Sequence, residues 1–201
     1  MALNAEIWLF WLKIGLFSGN PSKRAAVVND VESQVQSGEA ANTTSILVNA
    51  TILYMEENYE MALRVLHAAP SDHLESMALR LQALLKMDRV DLAKKELKSM
   101  QERDDDATLT QLAQAWVNMY MGGDKIQDAY YIYQELIDKH GSTPLLLNGQ
   151  VASYIGQEKF EEAEAALQEA VEKDPNNVDT LINLIVLSQQ TGKPTEVMML
   201  H

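Results

Sequence analysis

Side chains able to do chemistry are few in this chain and poorly spaced for it. His67 and His73 stand six residues apart across a break containing Pro70. That is not the i, i+4 spacing that puts two imidazoles on one helical face, and no third ligand is nearby. The chain has no cysteine, hence no thiolate nucleophile, no thiolate metal ligand and no disulfide, which fits a reducing compartment. The run Glu102-Arg103-Asp104-Asp105-Asp106 lacks the glycine and the distal glutamate of a calcium loop. Standing before Ala107-Thr108-Leu109, it reads as a helix start. Asp105 or Asp106 would cap the first turn, and the neighbouring acids would favour the positive helix end. Glu161, Glu162 and Glu164 read as a solvated helix face. Gly122-Gly123 and Gly149 build no phosphate cradle, and neither a Gly-x-Ser-x-Gly motif nor a Ser/His/Asp order occurs. The ten methionines are scattered through apolar positions, as core fillers are. The expectation is a protein without catalytic residues, cofactor or metal.

The elements behind these residues are helical and repeat. Ile126-x-x-Ala129 recurs as Phe160-x-x-Ala163, 34 residues on, and Tyr120 and Tyr133 recur as Tyr154 and Leu167 at the same spacing. A period of about 34 residues is that of the tetratricopeptide (TPR) unit, a hairpin of helices A and B that stacks on its neighbours. The two helices must cross closely, so one position of helix B has to be small, and Ala129 and Ala163 hold it. Ile126 and Phe160 fill the start of helix B, with Tyr120 and Tyr154 expected to pack against them. Further crossing positions fall at Ala62, Ala93 and Val197, giving intervals of 31, 36, 34 and 34. The early units are therefore less regular than the later ones.

Taken in order, residues 2–17 read as a helix with Ile7, Phe10, Trp11 and Ile14 on one stripe, ended by Ser18-Gly-Asn-Pro-Ser22. The apolar stretch 5–17 within it carries Glu6 and Lys13 and is shorter than the roughly 20 residues that span a bilayer, so a buried helix is expected rather than an anchor or a leader. Helices follow at 23–36 (Ala26, Val27, Val31 and Val35 apolar), at 40–55 (Ile46, Leu47, Ala50 and Leu53 inward) and from Tyr59 to about Ala69. The next are at 73–87, from Val90 to about Gln101, at 106–121 (Leu109, Leu112, Ala113, Trp116 and Val117 inward), and in the two regular units up to Pro175. A last helix A spans 178–190, and its helix B, from Thr195, is cut off at His201 after about two turns. A solenoid normally ends in a polar cap, so this end is expected to be incomplete or covered by a partner. The fold class expected is all-α, a right-handed solenoid of TPR-like hairpins. It forms a single domain over 1–201, with irregular helices in 1–39 and TPR-like units in 40–201. The sequons at Asn42 and Asn49 read as chance matches. The formal charge of −13 argues against nucleic acid, because phosphate binding needs Lys and Arg.

TPR solenoids bind peptides on the concave face, which helix A lines. Counting back from each crossing alanine places Thr44, Leu47, Thr51 and Tyr54 there, then Glu75, Ala78, Gln82 and Leu85. The later units supply Gln111, Gln114, Asn118 and Met121, then Leu145, Asn148, Ala152 and Ile155. This set contains no Lys or Arg, so it lacks the basic clamp with which chaperone-binding TPR domains hold a terminal carboxylate. Mixed apolar and amide side chains suit an extended segment or a hairpin, whose backbone pairs with Asn and Gln.

Particular strings point further. Asp91-Leu-Ala-Lys-Lys-Glu-Leu-Lys98, Asp106-Ala-Thr-Leu-Thr-Gln-Leu-Ala113 with Ala115-Trp116, Gly123-Asp-Lys-Ile-Gln-Asp-Ala-Tyr130, Leu145-Leu-Leu-Asn-Gly-Gln150, and Thr180-Leu-Ile-Asn-Leu-Ile-Val186 with Gly192-Lys-Pro194 resemble the epsilon subunit of coatomer, as does Asn42-Thr-Thr44. The resemblance covers about residues 22–198, and family members are longer at both ends. It implies a non-enzymatic subunit of the vesicle coat of retrograde Golgi-to-ER and intra-Golgi transport. That subunit curls around and stabilises a C-terminal segment of the alpha subunit, within the rest of the coatomer complex. It implies a cytoplasmic protein, peripheral on Golgi membranes and coated vesicles, touching membrane only through the coat. The rival reading is a TPR peptide-binding adaptor or co-chaperone of another complex.

The crossing position gives a direct test. Ala163→Leu should overpack the hairpin and lower stability by roughly 1–3 kcal/mol, read as a shift of the urea midpoint.

Overall fold

A computed structural model describes residues 21–37 and 42–192. Among them are ten helices and no strand: α1 (Pro21–Ser37), α2 (Thr43–Met55), α3 (Tyr59–Leu66), α4 (Leu74–Lys86), α5 (Val90–Arg103), α6 (Thr108–Met121), α7 (Lys125–His140), α8 (Pro144–Gly156), α9 (Phe160–Lys173) and α10 (Val178–Thr191). The expected helix at 2–17, the segment from Thr195 and the crossing residue Val197 lie outside the described residues. The chain divides into two compact units, the first ending at Arg103 and the second beginning at Asp104.

In each unit the helices pair as antiparallel hairpins, α2 with α3 and α4 with α5 in the first, α6 with α7 and α8 with α9 in the second. The four crossing alanines, Ala62, Ala93, Ala129 and Ala163, are all fully buried. The core of the first unit gathers Val31 of α1, Ile46, Ala50 and Leu53 of α2, and Val65 and Leu66 of α3. The second unit has one cluster around Ala129, Tyr133, Leu136 and Leu146, and another around Val151, Ala163, Leu167, Leu184 and Leu187.

The helix starts follow cap chemistry. Asn42, Asn58, His73, Thr143 and Asn177 each accept a backbone N–H of the first turn, and Pro144 sits at the first turn of α8, where its missing N–H costs nothing. His73 is thus a cap, its Nδ1 facing Ser76. The sequon residue Asn42 is likewise a cap, and Asn49 is buried. The hairpin turns repeat too. Glu57, Asp88, Glu158 and Gly192 each stand five residues before a crossing position and have φ of 60°, 59°, 60° and 68°. The N–H groups of Asn58, Arg89 and Lys159 close these turns onto carbonyls five residues back, the Schellman pattern. The α6–α7 turn differs and uses two left-handed glycines, Gly122 and Gly123.

Three sequence expectations are corrected. Neither Asp105 nor Asp106 caps α6: Ala107 is the N-cap, with no side-chain bond, because its extended backbone (ψ 130°) starts the helix one residue beyond Asp106. α3 ends at Leu66 rather than near Ala69, since residues 67–69 turn toward Pro70. Tyr120, expected to be packed at the start of α7, is 45% exposed, whereas its counterpart Tyr154 packs beside Phe160 and against Tyr130, ring centroids 5.0 Å apart. On the expected inner stripes, Leu47, Leu109, Leu112 and Trp116 are half-buried.

Close approach also explains two glycines of α8. A Cβ on Gly149 would come within 2.3 Å of the Tyr133 ring, and one on Gly156 would meet Ile126 Cδ1 at 2.9 Å. Tyr133 is buried, so its ring has no room to move aside. Gly149→Ala should therefore lose roughly 1–3 kcal/mol despite the better helix propensity of alanine. A circular-dichroism melt of this variant checks it, and unchanged stability would mean that the α7–α8 contact is loose.

Candidate functional site

Within each unit the first helices of successive hairpins pack on one another, α2 on α4 and α8 on α10. α6 and α8 meet through Ala115 and Leu146 and a bond from Ser153 Oγ to Met119 Sδ of 3.3 Å. The residues counted for the groove all lie on these first helices, but they differ in what they present. Met121 and Leu145 are exposed, Leu145 at 60%. Thr44, Leu47, Thr51, Tyr54, Gln82, Gln111, Gln114, Ala152 and Ile155 are half-buried. Leu85, Asn118, Asn148 and Ala78 are buried, whereas Glu75 is exposed and faces His73 at 3.4 Å.

Several polar members are already engaged. Thr51 Oγ1 donates to the Leu47 carbonyl at 2.8 Å, and Gln114 Nε2 donates to Asn118 Oδ1 at 3.4 Å. Asn148 is the most committed. Its amide donates to Thr180 Oγ1 at 2.8 Å and to Asn177 Oδ1 at 3.3 Å, and its side-chain carbonyl accepts from Asn183 Nδ2 at 2.9 Å. All three partners belong to α10 or its cap. Removing one side of such a buried network leaves the other unsatisfied, a cost of about 1–3 kcal/mol.

Of the exposed large apolar side chains among the described residues, all except Tyr131 stand on first helices: Met55, Tyr120, Met121, Leu145, and on α10 Val178, Ile182 and Ile185. The α10 members were missed by a count that stopped at α8. The signal was present, because Val197 as a fifth crossing position puts Ile182 in the place that Asn148 holds one unit earlier.

The tyrosines beside these rows have raised pKa values. Tyr54 is raised by burial and then by Tyr59, whose ring meets it edge-on at 5.4 Å. Tyr154 is raised by burial and then by its hydrogen bond to Tyr130. Burial pushes Tyr133 up to about 12. No three His, Asp or Glu side chains among the described residues gather as metal ligands would. No helix among them is long and apolar enough to cross a membrane.

A family model described as "Coatomer epsilon subunit" matches residues 12–201. The chain belongs to the coatomer epsilon subunit family. Similar curated proteins are coatomer subunit epsilon-1 of Arabidopsis thaliana, 38% identical over 90% of this chain and 61% of that protein, and coatomer subunit epsilon of Dictyostelium discoideum, 42% identical over 75% of this chain and 50% of that protein. The chain thus spans about three fifths of the length of the epsilon subunits it matches most extensively. Among solved structures, a tetratricopeptide repeat protein of Parabacteroides merdae aligns over 87% of this chain and 75% of that one, with TM-score 0.69 and 16% identity. A TPR protein of Thermus thermophilus aligns over 92% and 99%, with TM-score 0.71 and 14% identity. These two likenesses show the fold, all-α and TPR-like, and nothing more.

For this epsilon-family chain, the buried phenol of Tyr133 sets an alkaline limit. An unfolded tyrosine ionises near pH 10, whereas Tyr133 in the fold holds its proton to about 12. Below pH 10 both states are protonated and the residue contributes no pH dependence. From pH 10 upward the unfolded state ionises first, and stability falls. Between pH 9 and pH 11 the loss should be about 1 kcal/mol. Tyr133→Phe should lose less than the parent by about that amount, read from urea melts at both pH values.

Proposed function

We propose that this chain acts as a non-enzymatic structural subunit of coatomer, holding a C-terminal segment of the alpha subunit against its first-helix rows. Membership of the epsilon family supports the coat assignment. The observation that carries the groove is that Met121, Leu145 and Ile182, at row positions of three first helices of the second unit, are exposed apolar side chains. Such side chains would be covered by an apolar segment, and half-buried Gln111 offers an amide to its backbone. The counted rows hold neither Lys nor Arg, which argues for recognition through the body of a segment rather than a free carboxylate end. In this reading the subunit works in the cytoplasm, in the coat of retrograde Golgi-to-ER and intra-Golgi vesicles, and meets membrane only through its partners.

The test is co-purification of this chain with the C-terminal region of a coatomer alpha subunit, followed by sizing. The parent should give a stoichiometric complex. Leu145→Asp combined with Ile182→Asp should abolish it while circular dichroism still shows a folded chain. Retention of the complex by that folded variant would overturn the groove. Asn148 is unsuited to this test, because its side chain is spent inside the fold.

A further inference from the structure

We propose that Asn148 is a positioning residue: its amide clasps the first turn of α10 and fixes the register of α10 on α8, and with it the spacing of Leu145 from Ile182. This rests on the groove reading for its consequence, though not for its test.

The clasp is closed on every side. Both amide hydrogens of Asn148 are used, toward Thr180 and Asn177, and its oxygen is taken by Asn183. Asn177 Oδ1 in turn accepts the backbone N–H and the hydroxyl of Thr180, at 3.1 and 3.2 Å, so the same oxygen that starts α10 also receives α8. Asn148 is 7% exposed and Thr180 is 1% exposed. Asn183 Nδ2 also reaches the Asn148 backbone carbonyl at 3.4 Å, and the apolar cluster that α8 and α10 share includes Val151, Leu184 and Leu187. Aliphatic packing is non-directional and tolerates sliding by a turn, whereas a buried amide with fixed partners does not. A single buried asparagine setting the register between helices is the best-attested use of a buried polar group.

The clasp belongs to one joint and is not a feature of the repeat. One unit earlier, Gln114 holds the place of Asn148 and bonds within its own helix, to Asn118. Gly149 holds the place of Asn183, where a side chain would strike Tyr133. One unit later, Ile182 holds the place of Asn148. At that position α8 meets α7 through a glycine and a ring, whereas α10 meets α8 through amides.

The chain has no cysteine, so spin labels can be placed at will. Labels on Leu145→Cys and Gln190→Cys, both exposed positions on α8 and α10, report the register as a distance distribution by electron–electron double resonance on the chain alone. The parent should give one narrow distribution. Asn148→Leu combined with Asn183→Leu, which removes the amides from both helices, should broaden or split it, with helix content and a cooperative melt retained. A single narrow distribution, unchanged in that folded variant, would show that aliphatic packing sets the register and would overturn the proposal. If the double variant does not fold, Asn183→Ala serves instead. It leaves the Asn177 cap intact and removes the Asn183 bond to the Asn148 side-chain oxygen. Broadening supports the clasp, and an unchanged distribution overturns it. Because no partner is present, these outcomes are independent of whether the alpha-subunit segment binds.

Discussion

Two helices can lie close only if nothing larger than a methyl group stands between them, and this molecule depends on that constraint at four places. Ala62, Ala93, Ala129 and Ala163 sit at the crossings of their hairpins with no solvent exposure. Around each, larger residues fill the wedge on either side, such as Leu53 and Leu66 around Ala62, and Val151 and Leu167 around Ala163. The small residue sets the distance and the large ones supply the burial, at about 25 cal/mol for each Å² removed from water. The same trade appears between hairpins. Where Tyr133 is large, the facing position of α8 is Gly149. At the next joint Leu167 takes the place of Tyr133, and Asn183 takes the place of Gly149.

A close crossing also demands a tight turn, and that demand explains residues whose types look wrong. Glu57, Asp88 and Glu158 adopt the left-handed region, where a β-carbon costs roughly 1–2 kcal/mol. The turn places them there so that the following N–H can reach back to the carbonyl that ends helix A. Gly192 and the Gly122-Gly123 pair meet the same need without that cost. The acidic turn residues add charge at exposed corners, in keeping with the net charge of the chain.

The periodic part of this architecture was legible in the sequence because it comes from spacing: the crossing alanines and the order of the helices. What escaped was decided by contacts that spacing does not encode. Asp106 looked like a cap by its type, but the extended backbone at Ala107 moves the helix start out of its reach. Tyr120 and Tyr154 occupy equivalent places, yet Tyr120 is 45% exposed while Tyr154 is half-buried and meets the ring of Tyr130. The groove count names residues of the first helices but could not see their coverage. A register places Asn148 and Leu145 on one row, but only the neighbouring helix determines that the first is buried by α10 and the second is left in solvent.

That split within one row bears on what such a protein can do. Polar atoms of the first helices are largely consumed by the fold: Thr51 on its own helix, Gln114 on Asn118, Asn148 on α10. Apolar atoms of the same helices are left over, at Met121, Leu145, Val178, Ile182 and Ile185. Satisfied amides inside and uncovered aliphatic side chains outside form a surface that gains free energy by being covered. Its specificity then rests on how rigidly those side chains are spaced. The rigidity comes from the crossing alanines within each hairpin, from Gly149 against Tyr133 at the α7–α8 contact, and from the amide bonds between α8 and α10.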